Sequence, residues 1–125
     1  LRNINVWFKD ANVLHTGDLF FADRFPFIDL KSGGSVTGYI NNVKLLLSQI
    51  DDKTKLIPGH GDLMDKAGLQ RFLTMMEQTL AEVNALKAQG KTEDQIVAQG
   101  LSAQWKSWSW NFITEERWIR TLFKA

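Results

Sequence analysis

Apolar and polar positions alternate at the start of the chain: Ile4, Val6 and Phe8 stand against Asn5 and Trp7, the period-two pattern of a strand. The polar KDAN that follows, Lys9 to Asn12, is rich in turn formers, and Val13 to His15 opens a second apolar run. Together these predict a hairpin. Thr16-Gly17-Asp18 then interrupts the run, and Leu19 to Leu30, broken by Pro26, reads as an aromatic loop. Lys31 to Ser35, KSGGS, reads as a flexible turn with Ser35 in place to cap a helix. In that helix Val36, Tyr39, Ile40, Val43, Leu46, Leu47 and Ile50 recur at spacings of three and four, and Asp51 and Asp52 stop it. Thr54 to Pro58 is a short buried strand, closed by Pro58 and Gly59.

The second half of the chain is helical in pattern. Asp65 is placed to cap a long helix whose apolar stripe is Leu69, Phe72, Leu73, Met76, Leu80 and Val83 and whose end is Gly90. Thr92-Glu93-Asp94-Gln95 fits a capping box, predicting a short helix to about Gly100. After the aromatic segment Gln104 to Phe112, Thr114 caps a last helix. Glu115 and Glu116 in its first turn suit the helix dipole, and Trp118, Ile119, Leu122 and Phe123 form its apolar face. The order strand, strand, helix, strand, helix, helix, helix predicts an α/β layer over residues 1–125, read as a single domain with helices against one sheet face.

Composition narrows the function classes. A 125-residue chain that is 44% hydrophobic can bury a core and is not a disordered segment. With 15 basic and 14 acidic residues, it presents no electrostatic case for nucleic acid or an anionic membrane. No apolar run approaches the roughly 18 residues of a membrane span. The absence of cysteine excludes disulfides, a thiolate nucleophile and thiolate metal ligands, and leaves the compartment open. The localisation is thus unknown; a soluble parent is expected, with the periplasm or secretion among the compartments open to it. The chain begins at Leu1 and enters strand-like sequence almost at once, which leads us to expect a piece of a longer protein.

Two short stretches carry the candidate chemistry. In NVLHTGDLFF, Asp18 follows a glycine at a strand end, where α/β folds place ligands and catalytic groups; from spacing alone the plainer reading is a turn aspartate bonding its own backbone. In LIPGHGDL, Gly59 and Gly61 flank His60, which gives the imidazole room for close approach; the plainer reading is a loop histidine. Imidazole and carboxylate together are a fitting metal pair, but two donors are only part of a zinc site. His15, three residues before Asp18, falls on the opposite strand face and is expected in a supporting role. Trp105, Trp108 and Trp110 suit either a substrate groove or, more commonly, the pinning of a C-terminal segment to the core. Gly33-Gly34 lacks the lysine and spacing of a phosphate loop, and the nearby Lys31 and Arg24 are expected to be solvated.

In order and spacing, VLHTGDLFF followed by LIPGHG, with FPFIDLKSGGSVTGYI between them, resembles the metallo-β-lactamase-fold hydrolases, and among these the glyoxalase II-like zinc hydrolases. The resemblance covers nearly all of this chain but only the C-terminal half of the usual family protein. It implies half of an αββα sandwich: one mostly antiparallel or mixed sheet with helices on its outer face. It implies one or two zinc ions in the intact protein, with Asp18 matching the carboxylate that bridges them and His60 the last histidine ligand. The implied nucleophile is a metal-bound hydroxide. The chain departs from the family pattern in two ways. The His-x-His-x-Asp-His motif is absent, and so is a further histidine usually found ahead of the stretch aligned with Ile4 to Phe8. An incomplete zinc site and no activity in this chain alone are therefore expected. The best-known lactamases carry cysteine where Asp18 stands, so that type is not expected; lactam, thioester, lactone and phosphodiester substrates otherwise stay open.

Two expectations follow for partners. As part of an enzyme, the chain pairs with the missing N-terminal half of its domain and acts on a small-molecule substrate. As a non-catalytic half-domain, it exposes an apolar sheet face through which a homodimer or another partner docks.

Overall fold

The computed structural model describes residues 6–125, apart from the side chain of Asp18, so Ile4 and Asn5 of the first expected strand lie outside the described residues. The elements are β1 (Val6–Phe8), β2 (Val13–Phe21), α1 (Val36–Gln49), β3 (Lys55–His60), α2 (Lys66–Ala88), α3 (Glu93–Gln99) and α4 (Glu115–Phe123). Short 3-10 turns cover Lys9–Ala11, Leu30–Ser32 and Ala103–Trp108. Among the described residues these make one three-stranded mixed sheet in the order β1-β2-β3, antiparallel between β1 and β2 and parallel between β2 and β3. The expected hairpin is present, closed by Asn12 in the left-handed conformation with its N–H donating to the Lys9 carbonyl.

The helices start where their capping residues stand. Ser35 Oγ accepts from Gly38 N–H, Asp65 Oδ1 from Gly68 N–H and Thr114 Oγ1 from Arg117 N–H. Thr92 and Gln95 form both halves of the capping box. Each cap satisfies a first-turn N–H that has no partner inside its own helix.

Both sequence-predicted strand ends were too early. β2 runs through Thr16-Gly17-Asp18 to Phe21, and β3 passes Pro58 and Gly59 to His60. The aromatic loop expected from Leu19 therefore begins only after Phe21. The reason is tertiary: Leu19, Phe20 and Phe21 are buried in the core, and the parallel pairing continues to Phe21 opposite His60. The register slips twice on the way, between His15 and Gly17 and between Gly17 and Phe21, and these irregularities let the strand carry a glycine.

The core lies between the sheet and the helices. Leu14 and Leu56 point into it from the strands; Val36, Tyr39 and Val43 come from α1, Phe72 and Met76 from α2, and Trp118 and Leu122 from α4. Trp118 is fully buried, its ring stacked on Phe25 and its indole N–H donating to Thr79 Oγ1 at 3.1 Å. Thr79 Oγ1 donates in turn to the Met75 carbonyl at 2.7 Å, so this buried polar pair is satisfied. The expected stripe on α2 is present but wider, with Met75 and Thr79 buried and Leu80 only half-buried.

Among the described residues, no helix covers the other face of the sheet. Val6 lies directly opposite His15 and Phe8 opposite Val13, so all four share that face, continued on β3 by Lys55 and Ile57. Val6 is 45% and Phe8 52% exposed, which leaves an apolar strip in solvent on a face that sheets in layered folds normally cover.

Candidate functional site

A parallel pair brings the carboxyl ends of its strands to one edge, and here that edge gathers the candidate residues. In register, Gly17 meets Pro58 and Phe21 meets His60, so the stretch containing Asp18 runs alongside Pro58–His60. This is the edge where open α/β sheets bind ligands.

His60 is exposed at the tip of β3 and is held by its surroundings. Its ring stacks on Phe21, centroids 5.0 Å apart and planes 7° from parallel, and tilts against Trp110 at 5.3 Å. Its carbonyl accepts from Ala22 N–H at 2.9 Å. The next residue, Gly61, has φ of +101°, and a Cβ there would sit 2.6 Å from Ala22 Cβ. Glycine is thus required for the turn that presents His60, which gives Gly61 a structural reason to stand beside the candidate ligand. Beyond it the chain folds back, Leu56 and Met64 exchanging backbone hydrogen bonds at 2.7 and 2.9 Å. Gly59, before it, is exposed.

His15 sits on the helix-free face, opposite Val6, and its Nδ1 accepts from Gly17 N–H at 3.1 Å. That bond ties the imidazole to the backbone of the first register slip, just ahead of Asp18. The side chain of Asp18 lies outside the described part of the structure, so the expected pairing of its carboxylate with His60 is carried here by strand register alone. Among the described residues, no group of three or more His, Cys, Asp or Glu side chains is placed to hold a metal ion. The described donors therefore do not by themselves fit a zinc site, which takes at least three protein ligands.

The tryptophans divide between the two roles considered for them. Trp105 and Trp108 are buried against each other, with Trp105 Nε1 donating to Glu82 and the Trp108 carbonyl accepting from Phe25 N–H at 2.9 Å. These two pin the segment to the core. Trp110 anchors its indole N–H on the Phe25 carbonyl at 2.8 Å and leaves the ring half-buried between Phe21, His60 and Phe112. Arg24, expected to be solvated, instead lies half-buried with its guanidinium 5.1 Å above the Trp110 ring. Sequence reasoning singled out neither Phe21 nor Phe112 as part of this site. Their only signal was membership of aromatic segments, and which aromatic faces a site depends on long-range packing.

No known protein family and no curated protein matches the chain by sequence. In structure it is similar to part of a double mutant of the sec-alkyl sulfatase PisA1, with a TM-score of 0.67 and 15% identity over 96% of this chain and 21% of the sulfatase. At that identity the likeness concerns the fold alone, and the chain spans about a fifth of that protein's length. No helix among the described residues is long and apolar enough to cross a membrane.

Proposed function

We propose that this chain is the C-terminal half of a metallo-β-lactamase-fold, metal-dependent hydrolase and contributes two ligands, Asp18 and His60, to a zinc site whose other ligands lie outside it. The observation that carries this reading is the parallel register of β2 and β3, which sets the Asp18 stretch beside His60 at the carboxyl edge. The likeness to part of PisA1, a metallo-β-lactamase-fold enzyme, supports the same superfamily. His15 and the two glycines have supporting roles: His15 holds the backbone ahead of Asp18, and Gly61 allows the turn that presents His60.

On this reading the chain alone binds no stoichiometric zinc with high affinity and turns over no substrate. A longer form bearing a His-x-His-x-Asp-His segment, or that segment supplied in trans, binds zinc and hydrolyses at least one of a thioester, β-lactam, lactone or phosphodiester. Asp18→Asn and His60→Ala in the completed protein abolish both. Calorimetric zinc titration with parallel substrate assays tests this. High-affinity zinc binding by the isolated chain, or full activity in the His60→Ala protein, overturns it.

The exposed Val6 and Phe8 favour a second reading for the chain by itself, a non-catalytic half-domain that dimerises through its helix-free sheet face. Sedimentation at micromolar concentration decides this: a dimer that Phe8→Asp converts to monomer supports it, and a monomer throughout rejects it.

A further inference from the structure

The aromatic surface beside His60 does not stop at Trp110. Phe112 packs on Trp110 at 5.8 Å and Phe27 on Phe112 at 5.9 Å, so a continuous ledge of rings runs from His60 to Phe27. Phe112 is 52% exposed and Trp110 and Phe27 are half-buried, which leaves ring surface open to solvent.

Two guanidiniums lie on this ledge. Arg24 is 5.1 Å over Trp110, and Arg117 is 4.9 Å over Phe112 and 5.4 Å over Phe27. The other arginines of the described part and two lysines are matched with acids, Lys44 with Glu77, Arg71 with Asp23, Lys106 with Glu115, and Arg120 with Glu93, Asp94 and Glu116, while Lys87 lies over the Phe123 ring. Arg24 and Arg117 meet no carboxylate among the described residues. A guanidinium stacked on a ring has its flat face covered while its N–H donors, which lie in its plane, remain available at the edge. Arg117 spends one of them, Nη1, on the Phe112 carbonyl at 3.0 Å. The cavity adjoining the ledge, about 410 Å³, shares Phe27 and Arg117 with it and adds Lys31 and Lys124. Its one acid, Asp29, is engaged by Ser32 N–H at 3.2 Å.

We propose that this ledge is a binding site for an organic anion with a flat or apolar body. The rings of Trp110, Phe112 and Phe27 take the body, and the in-plane donors of Arg24 and Arg117 take the oxyanion. Binding at the ledge needs no metal. Its extension, that the ledge selects the substrate whose reacting bond reaches His60, rests on the proposed hydrolase function.

The test uses 2-naphthoate and its neutral isostere 2-naphthamide, titrated by calorimetry into the full chain with a chelator present. Naphthoate should bind at least about tenfold more tightly than the amide, because the neutral amide replaces one carboxylate oxygen with a donor and loses the bidentate ion pair with guanidinium. Arg24→Gln and Arg117→Gln should each remove most of that preference by weakening naphthoate far more than the amide, and Phe112→Ser should weaken both ligands. Circular dichroism checks that each variant is folded; Arg24 lies outside every helix and strand, so its variant serves if Arg117→Gln does not fold. Equal binding of the two probes, no binding of either, or a preference untouched by both substitutions overturns the proposal. Failure of the hydrolase reading leaves naphthoate binding intact, so the two failures are distinguishable.

Discussion

At the amino end of the parallel pair β2–β3, three side chains knot the strands to the preceding turns. Asn12 Nδ2 donates to Asp51 Oδ1 at 3.0 Å, and the buried Thr54 hydroxyl lies 2.9 Å from Asn12 Oδ1 and 3.1 Å from Asp51 Oδ1. Lys55 N–H donates to the Asn12 carbonyl at 3.0 Å. At the carboxyl end the same two strands finish on Phe21 and His60, stacked on each other beside a ledge of rings whose two arginines have no acid beside them among the described residues. The comparison teaches where this small fold invests its polar groups. One edge uses them on each other, which fixes the register of the pair. The other edge is held by ring packing and backbone hydrogen bonds, with its guanidiniums on rings instead of on carboxylates. Sites in open α/β sheets sit at that second kind of edge because strand-end loops there can vary without breaking the ladder.

The largest expected effect lies in the helical layer behind both edges. Trp118→Ala should cost about 3–5 kcal/mol by emptying the centre of the core, and both edges should melt together in a single transition followed by denaturant titration. Gly61→Ala tests the open edge: positive φ and the close approach to Ala22 should cost about 1–3 kcal/mol and displace His60. Thr54→Val tests the closed edge. Removing the hydroxyl strips partners from Asn12 and Asp51 at a cost of about 1–3 kcal/mol, with naphthoate binding unchanged. His60→Ala should cost about 0.5–1.5 kcal/mol through its lost ring packing, since the imidazole is exposed. A much larger loss would make His60 a packing residue and erase the contrast between the edges.

The smallest effect is in acid. Hydrogen bonds from Asn12, then from Lys53 N–H and Thr54, hold the Asp51 carboxyl below its usual range. A carboxylate with a depressed folded-state pKa stabilises the fold above its unfolded pKa and loses that contribution as pH falls through the folded value. Stability should therefore decline as pH falls below the ordinary aspartate range of about 4, and Asp51→Asn should flatten that part of the profile. If Asp51→Asn leaves the acid limb unchanged, the amino-end knot is not what titrates there.

Helix caps and apolar stripes were legible because they are local: a cap bonds an N–H two or three residues away, and a stripe repeats every turn. Ser35, Asp65, Thr92 and Thr114 were all readable as helix starts for that reason. Strand ends were not. Gly17 and Pro58 are strand breakers by local chemistry, and only the neighbouring strand shows that pairing continues past them to Phe21 and His60. The candidate site divides the same way. Asp18, His60 and His15 stood out by residue type, whereas Arg24, Arg117 and Phe112 belong to it only because the segment after Ala103–Trp108 folds back over the strand ends.

The sequence by itself determined the order of elements, the positions of the helix caps, the apolar faces and a short list of residues able to do chemistry, since each depends on neighbours within a turn or two. The tertiary structure alone decided which strand ends coincide, which face of the sheet stays open, and which cations lie on rings instead of beside acids. Those depend on contacts between residues far apart in the chain, such as Trp110 with Phe25 and His60, and no local pattern encodes such contacts.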